Sequence, residues 1–202
     1  MIPRVFRPCK FLVWIYPGAL FRLKTEKKLL CLTFDDGPDP DTTPGLIDIL
    51  NRHGLKAVFF CNGRSAEVYH SLVDKIKQGG HIVGNHGYDH LDGWKTGTDK
   101  YCKNAEIASA FTSGTLFRPP YGRLRLSQFR KLRKSYRIVF WDIISYDFDN
   151  AFGSRRSLEM LERKKRIGSV IVFHDTSSSS CLSFIEDFIL KSVEQGYDFI
   201  LP

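Results

Sequence analysis

The feature that most constrains this chain is a regular alternation of short apolar, β-prone runs with amphipathic stretches of helical period. Runs at 29–34, 57–61, 81–84, 116–118, 138–141, 169–173 and 197–201 predict seven strands. Stretches around 44–53, 65–78, 98–111, 125–135, 154–165 and 183–195 predict the helices between them. Gly54 and Gly196 fall where helix-ending glycines are expected, and Thr42 or Thr43 ahead of Pro44 supplies a helix start. Alternation of this kind requires parallel strands joined by crossover helices. The pattern alone leaves an open doubly wound sheet and a distorted barrel both open. In either, functional groups gather at the carboxyl ends of the strands.

With 202 residues, 43% apolar and 26% charged, the chain suffices for one domain with a substantial core, and it carries no repeat, heptad run or linker. The cysteines (Cys9, Cys31, Cys61, Cys102, Cys181) are odd in number, scattered and without CxxC spacing. That argues against a disulfide framework and against a thiolate zinc site, and Cys31 and Cys61 are expected as small core residues. The net charge of +8 concentrates in 123–137 and 163–166, stretches expected to be solvated helix faces. With no zinc finger, basic zipper or RNA-binding signature, nucleic acid is not an expected partner, whereas attraction to an anionic glycan stays open. At the N-terminus Arg4, Arg7 and Lys10 precede an apolar stretch, 11–21, that Pro17 interrupts. It lacks a small-x-small cleavage site and is too short to span a bilayer. Residues 1–28 are therefore expected to pack on a domain formed by 29–202, without stable membrane insertion. A cytoplasmic location follows from that expectation, with the cell envelope as the alternative for a cell-wall substrate.

Polar clusters follow the expected strands. Asp35 and Asp36 end the first strand; adjacent carboxylates there either cap the following turn or, beside a cation, divide into a ligand and a free carboxylate. His86 and His90 are spaced to share one side of a helical turn. Together with an aspartate from a neighbouring strand end they would form an open site of two imidazoles and a carboxylate. Arg118, ahead of Pro119 and Pro120, suits either a structural salt bridge or the support of a catalytic carboxylate. His174 follows an apolar run, as either a satisfied core histidine or a proton donor.

Taken together, these residues resemble the polysaccharide deacetylases that carry the NodB homology domain, carbohydrate esterase family 4. The similarity spans about 29–202. The motif Thr33–Pro38 (TFDDGP) is intact, as is Arg118–Gly122 (RPPYG). The histidine motif appears as His86-Gly87-Tyr88-Asp89-His90, with Gly87 where a hydroxyl residue usually supports the loop. Asp147-Phe148 stands for an Asp-Trp pair, and Val172-Phe173-His174 for Leu-x-His. The resemblance implies a distorted seven-stranded (β/α) barrel, TIM-barrel-like. It implies Asp35 as general base and Asp36, His86 and His90 as metal ligands. Arg118 would orient Asp35, the Tyr121 N–H would face the oxyanion, and His174, supported by Asp147, would protonate the leaving amine. Phe148, Val172 and Pro120 would line the acyl pocket, slightly widened by the smaller valine.

The expected activity is metal-dependent hydrolysis of an N-acetyl group on an amino sugar, with peptidoglycan, chitin-like oligomers and surface glycans as candidate substrates. The implied cofactor is a divalent metal, Zn²⁺ first, with Co²⁺, Ni²⁺ and Fe²⁺ as the other candidates. Three rivals stand beside it: an Fe(II) oxygenase, which also uses two histidines and a carboxylate; a related hydrolase of another linear or cyclic amide; and a non-catalytic glycan-binding module.

Overall fold

A computed structural model describes residues 6–112 and 114–202; Arg4, one of the expected N-terminal basic residues, lies outside them. One turn of helix, α1 (Leu12–Ile15), precedes the central strand β1 (Leu29–Asp35), of which every residue after the first is buried. Burial on both faces is what a nearly continuous apolar run in a parallel sheet requires. Next come α2 (Thr43–Arg52), β2 (Val58–Cys61), α3 (Gly63–Val68), α4 (His70–Gln78), β3 (Ile82–Asn85), α5 (Thr98–Ala108), β4 (Leu116–Phe117), α6 (Leu126–Leu132) and β5 (Arg137–Ile138). The chain closes with β6 (Ile143–Ile144), α7 (Ser154–Lys164), β7 (Val170–His174), α8 (Ile185–Glu194) and β8 (Asp198–Phe199).

All the strand pairings are parallel, in the order β5-β4-β3-β2-β1-β7-β6, with β8 alongside the start of β1. The sheet curls into an incomplete barrel with its helices outside, the distorted barrel rather than the open sheet. The expected fifth strand, 138–141, differs: only Ile138 of it lies in β5, and β6 begins beyond it at Ile143. Val139 and Phe140 turn instead to the N-terminal segment, which pairs Leu20 with Val139 and Arg22 with Ser169. The Leu20 N–H donates to the Ile138 carbonyl and the Phe140 N–H to the Leu20 carbonyl, both at 2.8 Å.

Two helical expectations also change. The stretch 65–78 is two helices, because Tyr69 (φ −109°, ψ 45°) leaves helical conformation between them. Thr42 and Thr43 do not cap α2 with their hydroxyls; each donates at 2.6 Å to the buried Asp175 carboxylate. Gly54 and Gly196 do end helices, with φ of +64° and +78°.

Strand alternation sorts the side chains into two sets. Leu30, Leu32 and Phe34 of β1 face the helices, where Phe34 stacks between Phe59 and Phe173 with ring centroids 4.9 and 5.7 Å away. Cys31, Val58, Phe60, Leu116 and Val170 fill the barrel interior. Gly84 on β3 leaves room there, since a Cβ would stand 2.5 Å from the Phe60 ring. Continuing the inward rows by two residues at a time leads from Cys31 to Thr33 and Asp35, from Val170 to Val172 and His174, from Leu116 to Arg118, and from Gly84 to His86. One period-two rule thus brings four polar residues, at or directly after the ends of β1, β3, β4 and β7, to the same end of the barrel. The cysteines are all free. Among the described residues, no helix is long and apolar enough to cross a membrane.

Candidate active site

At that end lies a cleft of about 510 Å³, into which Asp35, Asp36, His86, His90, Tyr121 and His174 face. Asp35 ends β1 in direct register with His174 on β7. Side chains of consecutive strand residues point to opposite faces, so Asp36 would turn away from Asp35 if the strand continued. It does not: Asp36 has φ +77°, and the reversal returns its carboxylate to the cleft. Four non-glycine residues in the described chain have positive φ, namely Asp36, His90, Tyr121 and Tyr146, and all four line this cleft. Such conformations cost about 1–3 kcal/mol each and concentrate where function over-determines the backbone.

Arg118 is fully buried. Its Nη1 donates to Asp35 Oδ1 at 2.6 Å and to the Thr33 hydroxyl at 2.7 Å. Its Nη2 donates to the Phe140 carbonyl at 3.0 Å and its Nε to the Val139 carbonyl at 3.4 Å. The guanidinium also lies 4.2 Å above the Phe60 ring. A buried charge is tolerable only when paired and hydrogen-bonded in this manner. The result is a carboxylate at Asp35 fixed in position and facing a counter-charge.

The two histidines do not share a helical turn. Residues 86–92 are an irregular loop in which Gly87 (φ +75°) and His90 (φ +53°) are both left-handed, and this loop brings the imidazoles to 5.0 Å between centroids. His86 Nδ1 donates to the Arg118 carbonyl at 2.8 Å, which leaves the Nε2 lone pair for the cleft. Nε2 of His90 and of His86 stand 3.1 and 3.4 Å from Asp36 Oδ1. That oxygen is buried and accepts no hydrogen bond among the described residues. Three converging electron-pair donors within 4.8 Å of one another, one of them orphaned, fit a divalent cation. Burial opposes ionisation of Asp36, yet the two histidines and the charge of His174 hold its carboxyl well below the usual carboxylate range.

Gly87 occupies the place of the supporting hydroxyl, and two asparagines hold the loop. Asn85 Oδ1 accepts from the Gly87 N–H at 2.8 Å. Asn104 on α5 accepts from the N–H groups of Tyr88 and Asp89 at 2.8 and 3.1 Å and donates to Asp89 Oδ2 at 2.6 Å.

Opposite Asp35, Asp147 is fully buried and accepts three hydrogen bonds at 2.7 Å, from the His174 backbone N–H, His174 Nδ1 and the Ser145 hydroxyl. Burial alone would lower the His174 pKa, but the charge and hydrogen bond of Asp147, with the charges of Asp36 and Asp35, raise it to about 9. Phe148 meets the His174 ring edge-on at 4.9 Å and stacks on Tyr146. The Tyr121 N–H, turned by the φ of +58°, has no hydrogen-bond partner among the described residues.

The structure therefore brings together Asp35, Asp36, His86, His90, Arg118, Tyr121, Asp147, Phe148, Val172 and His174. Pro120 is the exception: it is buried in the turn, and Pro119, extended at φ −70° and ψ 130°, lines the cleft instead. Arg123, expected on a solvated face, lines the cleft too. Sequence reasoning missed Trp141, Ile144 and Tyr146 on the far wall, and Asp175, whose carboxylate lies against Gly37 and accepts from Thr42 and Thr43. The legible signal for Trp141 was its position at the carboxyl end of the fifth apolar run, 138–141.

The family model for Polysaccharide deacetylase matches residues 22–140. A Bacillus cereus peptidoglycan-N-acetylglucosamine deacetylase is 34% identical over 158 residues, 75% of this chain and 57% of that protein, so the chain spans little more than half of that relative's length. The crystal structure of the Bc1960 peptidoglycan N-acetylglucosamine deacetylase superposes with a TM-score of 0.84 at 28% identity, covering 94% of this chain and 92% of that one. BA3943, a CE4 family pseudoenzyme from Bacillus anthracis, superposes with a TM-score of 0.80 at 25% identity, covering 91% of this chain and 66% of that one. Fold likeness thus extends to a pseudoenzyme as well as to a deacetylase. With the matched model covering more than half of its length, the chain belongs to the polysaccharide deacetylase family.

Proposed function

We propose that the chain is a metal-dependent N-deacetylase, hydrolysing the acetamide of an N-acetylated amino sugar in a glycan to acetate and a free amine. The single observation that supports it most is the pair of opposed, differently charged groups across the metal-fitting triad. Asp35 is paired with the buried guanidinium of Arg118, and His174 is held as an imidazolium by Asp147. A general base and a general acid kept apart in this way are what amide hydrolysis needs.

A divalent cation held by Asp36, His86 and His90 would lower the pKa of a water and polarise the amide carbonyl. Asp35 accepts the proton as that water attacks, and Arg118 keeps the carboxylate in place throughout. The Tyr121 N–H donates to the oxyanion of the tetrahedral intermediate; one such donor typically contributes about 2.7–4 kcal/mol. His174 passes its Nε2 proton to the leaving nitrogen, and Asp147 stabilises the imidazolium until then. Phe148, Val172, Ile144 and Trp141 enclose the apolar part of the acyl group. Zn²⁺ is the first candidate for this donor set of two imidazoles and a carboxylate. The relatives named for peptidoglycan support peptidoglycan fragments as the first substrates to try.

The test is acetate release from N-acetylated glycans, peptidoglycan fragments and chitooligosaccharides among them, with metal-stripped protein and Zn²⁺ or Co²⁺ restored. Asp35→Asn should abolish release while metal content stays near wild type, whereas His86→Ala should lose both. Near wild-type release by Asp35→Asn on a verified substrate would exclude Asp35 as the base. Stoichiometric metal with no release from any glycan would shift the reading to another amide.

A further inference from the structure

We propose that the N-terminal turn is an interfacial anchor that docks the protein on an anionic phospholipid surface. Exposed apolar side chains are scattered over most of the molecule, but three crowd into four consecutive positions here. Trp14 is 84% exposed, Phe11 65% and Val13 50%. They are the outer side of a segment whose inner side is well packed. Leu12, Ile15 and Tyr16 join the core beneath α6, and the Tyr16 hydroxyl donates to the Leu124 carbonyl. The pairings of Leu20 with Val139 and Arg22 with Ser169 tie the next residues to the barrel. The aromatic tip is thus presented by an ordered element.

Cations line two grooves along the same N-terminal segment. One groove runs past Pro8, Lys10, Val13, Arg22 and Lys24; another, under Pro17 and Gly18, carries Arg133, Lys134 and Arg137, and the two meet at Ala19. None of these six basic side chains has an acidic partner within 4.0 Å among the described residues, whereas Arg166 and Arg7 nearby are both engaged by Asp142. Apolar and indole groups on a segment bordered by cations without acidic partners match the boundary between acyl chains and anionic headgroups. A second copy is a poorer occupant. Three such side chains offer roughly 400–500 Å² per copy, below a stable dimer's interface, and self-pairing would bring the cations of both copies together. A soluble polyanion would satisfy the cations and leave the indole in water. Trp141 lines both the first groove and the catalytic cleft, so docking brings that wall of the cleft towards the membrane.

Sedimentation of the full chain with 100 nm vesicles tests this, using phosphatidylcholine alone or with phosphatidylglycerol, together with tryptophan emission. Saturable binding to phosphatidylglycerol vesicles with a blue shift is expected, weakened steeply by salt. The double variant Phe11→Ser/Trp14→Ser should bind roughly tenfold more weakly or worse, and so should Lys10→Glu/Lys24→Glu, at about fivefold per lysine lost. These side chains are exposed, so unchanged melting temperatures should accompany both losses. Absence of binding to phosphatidylglycerol vesicles overturns the proposal, as does a Phe11→Ser/Trp14→Ser variant that binds like wild type. Equal binding to phosphatidylcholine alone overturns its electrostatic part. Self-association abolished by Trp14→Ser, without vesicle binding, would assign the surface to a second copy.

Discussion

Replacing Asp147 with asparagine removes one charge and almost no volume, and the hydrogen bonds around it determine the outcome. Three donors converge on the carboxylate. An asparagine can accept with one atom only, so its NH₂ must face a donor or force His174 to present an unprotonated Nδ1. In the second arrangement Nε2 carries the only ring proton, on a neutral imidazole that is a poor acid. Turnover should fall about 10²–10⁴-fold, the range of general acid–base catalysis. A stability signature accompanies this and needs no substrate. His174 stands at about 9 against an ordinary 6.5, which corresponds to about 3 kcal/mol of preference for the charged form. A pKa raised by folding contributes stability that is complete below the unfolded value and disappears as pH climbs through the folded one. Metal-free wild-type protein should therefore lose about 3 kcal/mol from this source between pH 6.5 and 9, and Asp147→Asn should lose little of it over that window. Urea unfolding at intervals from about pH 6 to 9.5, with an NMR titration of the His174 ring, measures both. A His174 that titrates near 6.5 in the wild type, or identical stability slopes in the two proteins, would refute the coupling.

Other outcomes rest on packing and burial. Phe34→Ala, removing a ring stacked between Phe59 and Phe173, should cost about 3–5 kcal/mol in urea unfolding without a change in metal stoichiometry. Gly122→Ala places a methyl 2.3 Å from the Trp141 ring at a φ of +65°; Trp141 must move, and activity should drop further than the melting temperature. His81 is buried, its Nε2 without a hydrogen-bond partner among the described residues and its pKa depressed to about 4, burial being the larger cause and Lys56 the lesser. Stability should consequently fall by up to about 3 kcal/mol as pH drops from 6.5 to 4, and His81→Phe should flatten that acid limb in thermal melts.

Much of this site was legible because one rule, inward alternation on buried parallel strands, governs Asp35, Arg118, Val172 and His174. The period and the apolar runs specify it together. Asp36 and His90 escape that rule, since their placement depends on left-handed backbone that no hydrophobic pattern encodes. The spacing of His86 and His90 suggested a helix; a loop with two left-handed residues brings the rings together by a different route. Support for that loop was hidden for another reason. Asn104 reaches it from α5 across the fold, a contact that no local window contains. The threonines before Pro44 misled as caps because their hydroxyls serve Asp175, well over a hundred residues further on. The broken fifth strand was equally invisible, because the partner that displaces its ladder is an N-terminal segment with no strand pattern of its own.

That break also sets the terms on which this architecture can carry a guanidinium at its centre. The carbonyls of Val139 and Phe140 are held by Arg118. An unbroken strand would offer its carbonyls to its neighbours in the sheet. Closing the barrel by zipping β5 to β6 would therefore draw those acceptors back into the ladder and leave Nε and Nη2 of the buried guanidinium without partners, with only Nη1 still held by Asp35 and Thr33. The seam and the charged residue are mutually dependent, so sequence changes around 139–142 that improve sheet regularity should be incompatible with arginine at 118.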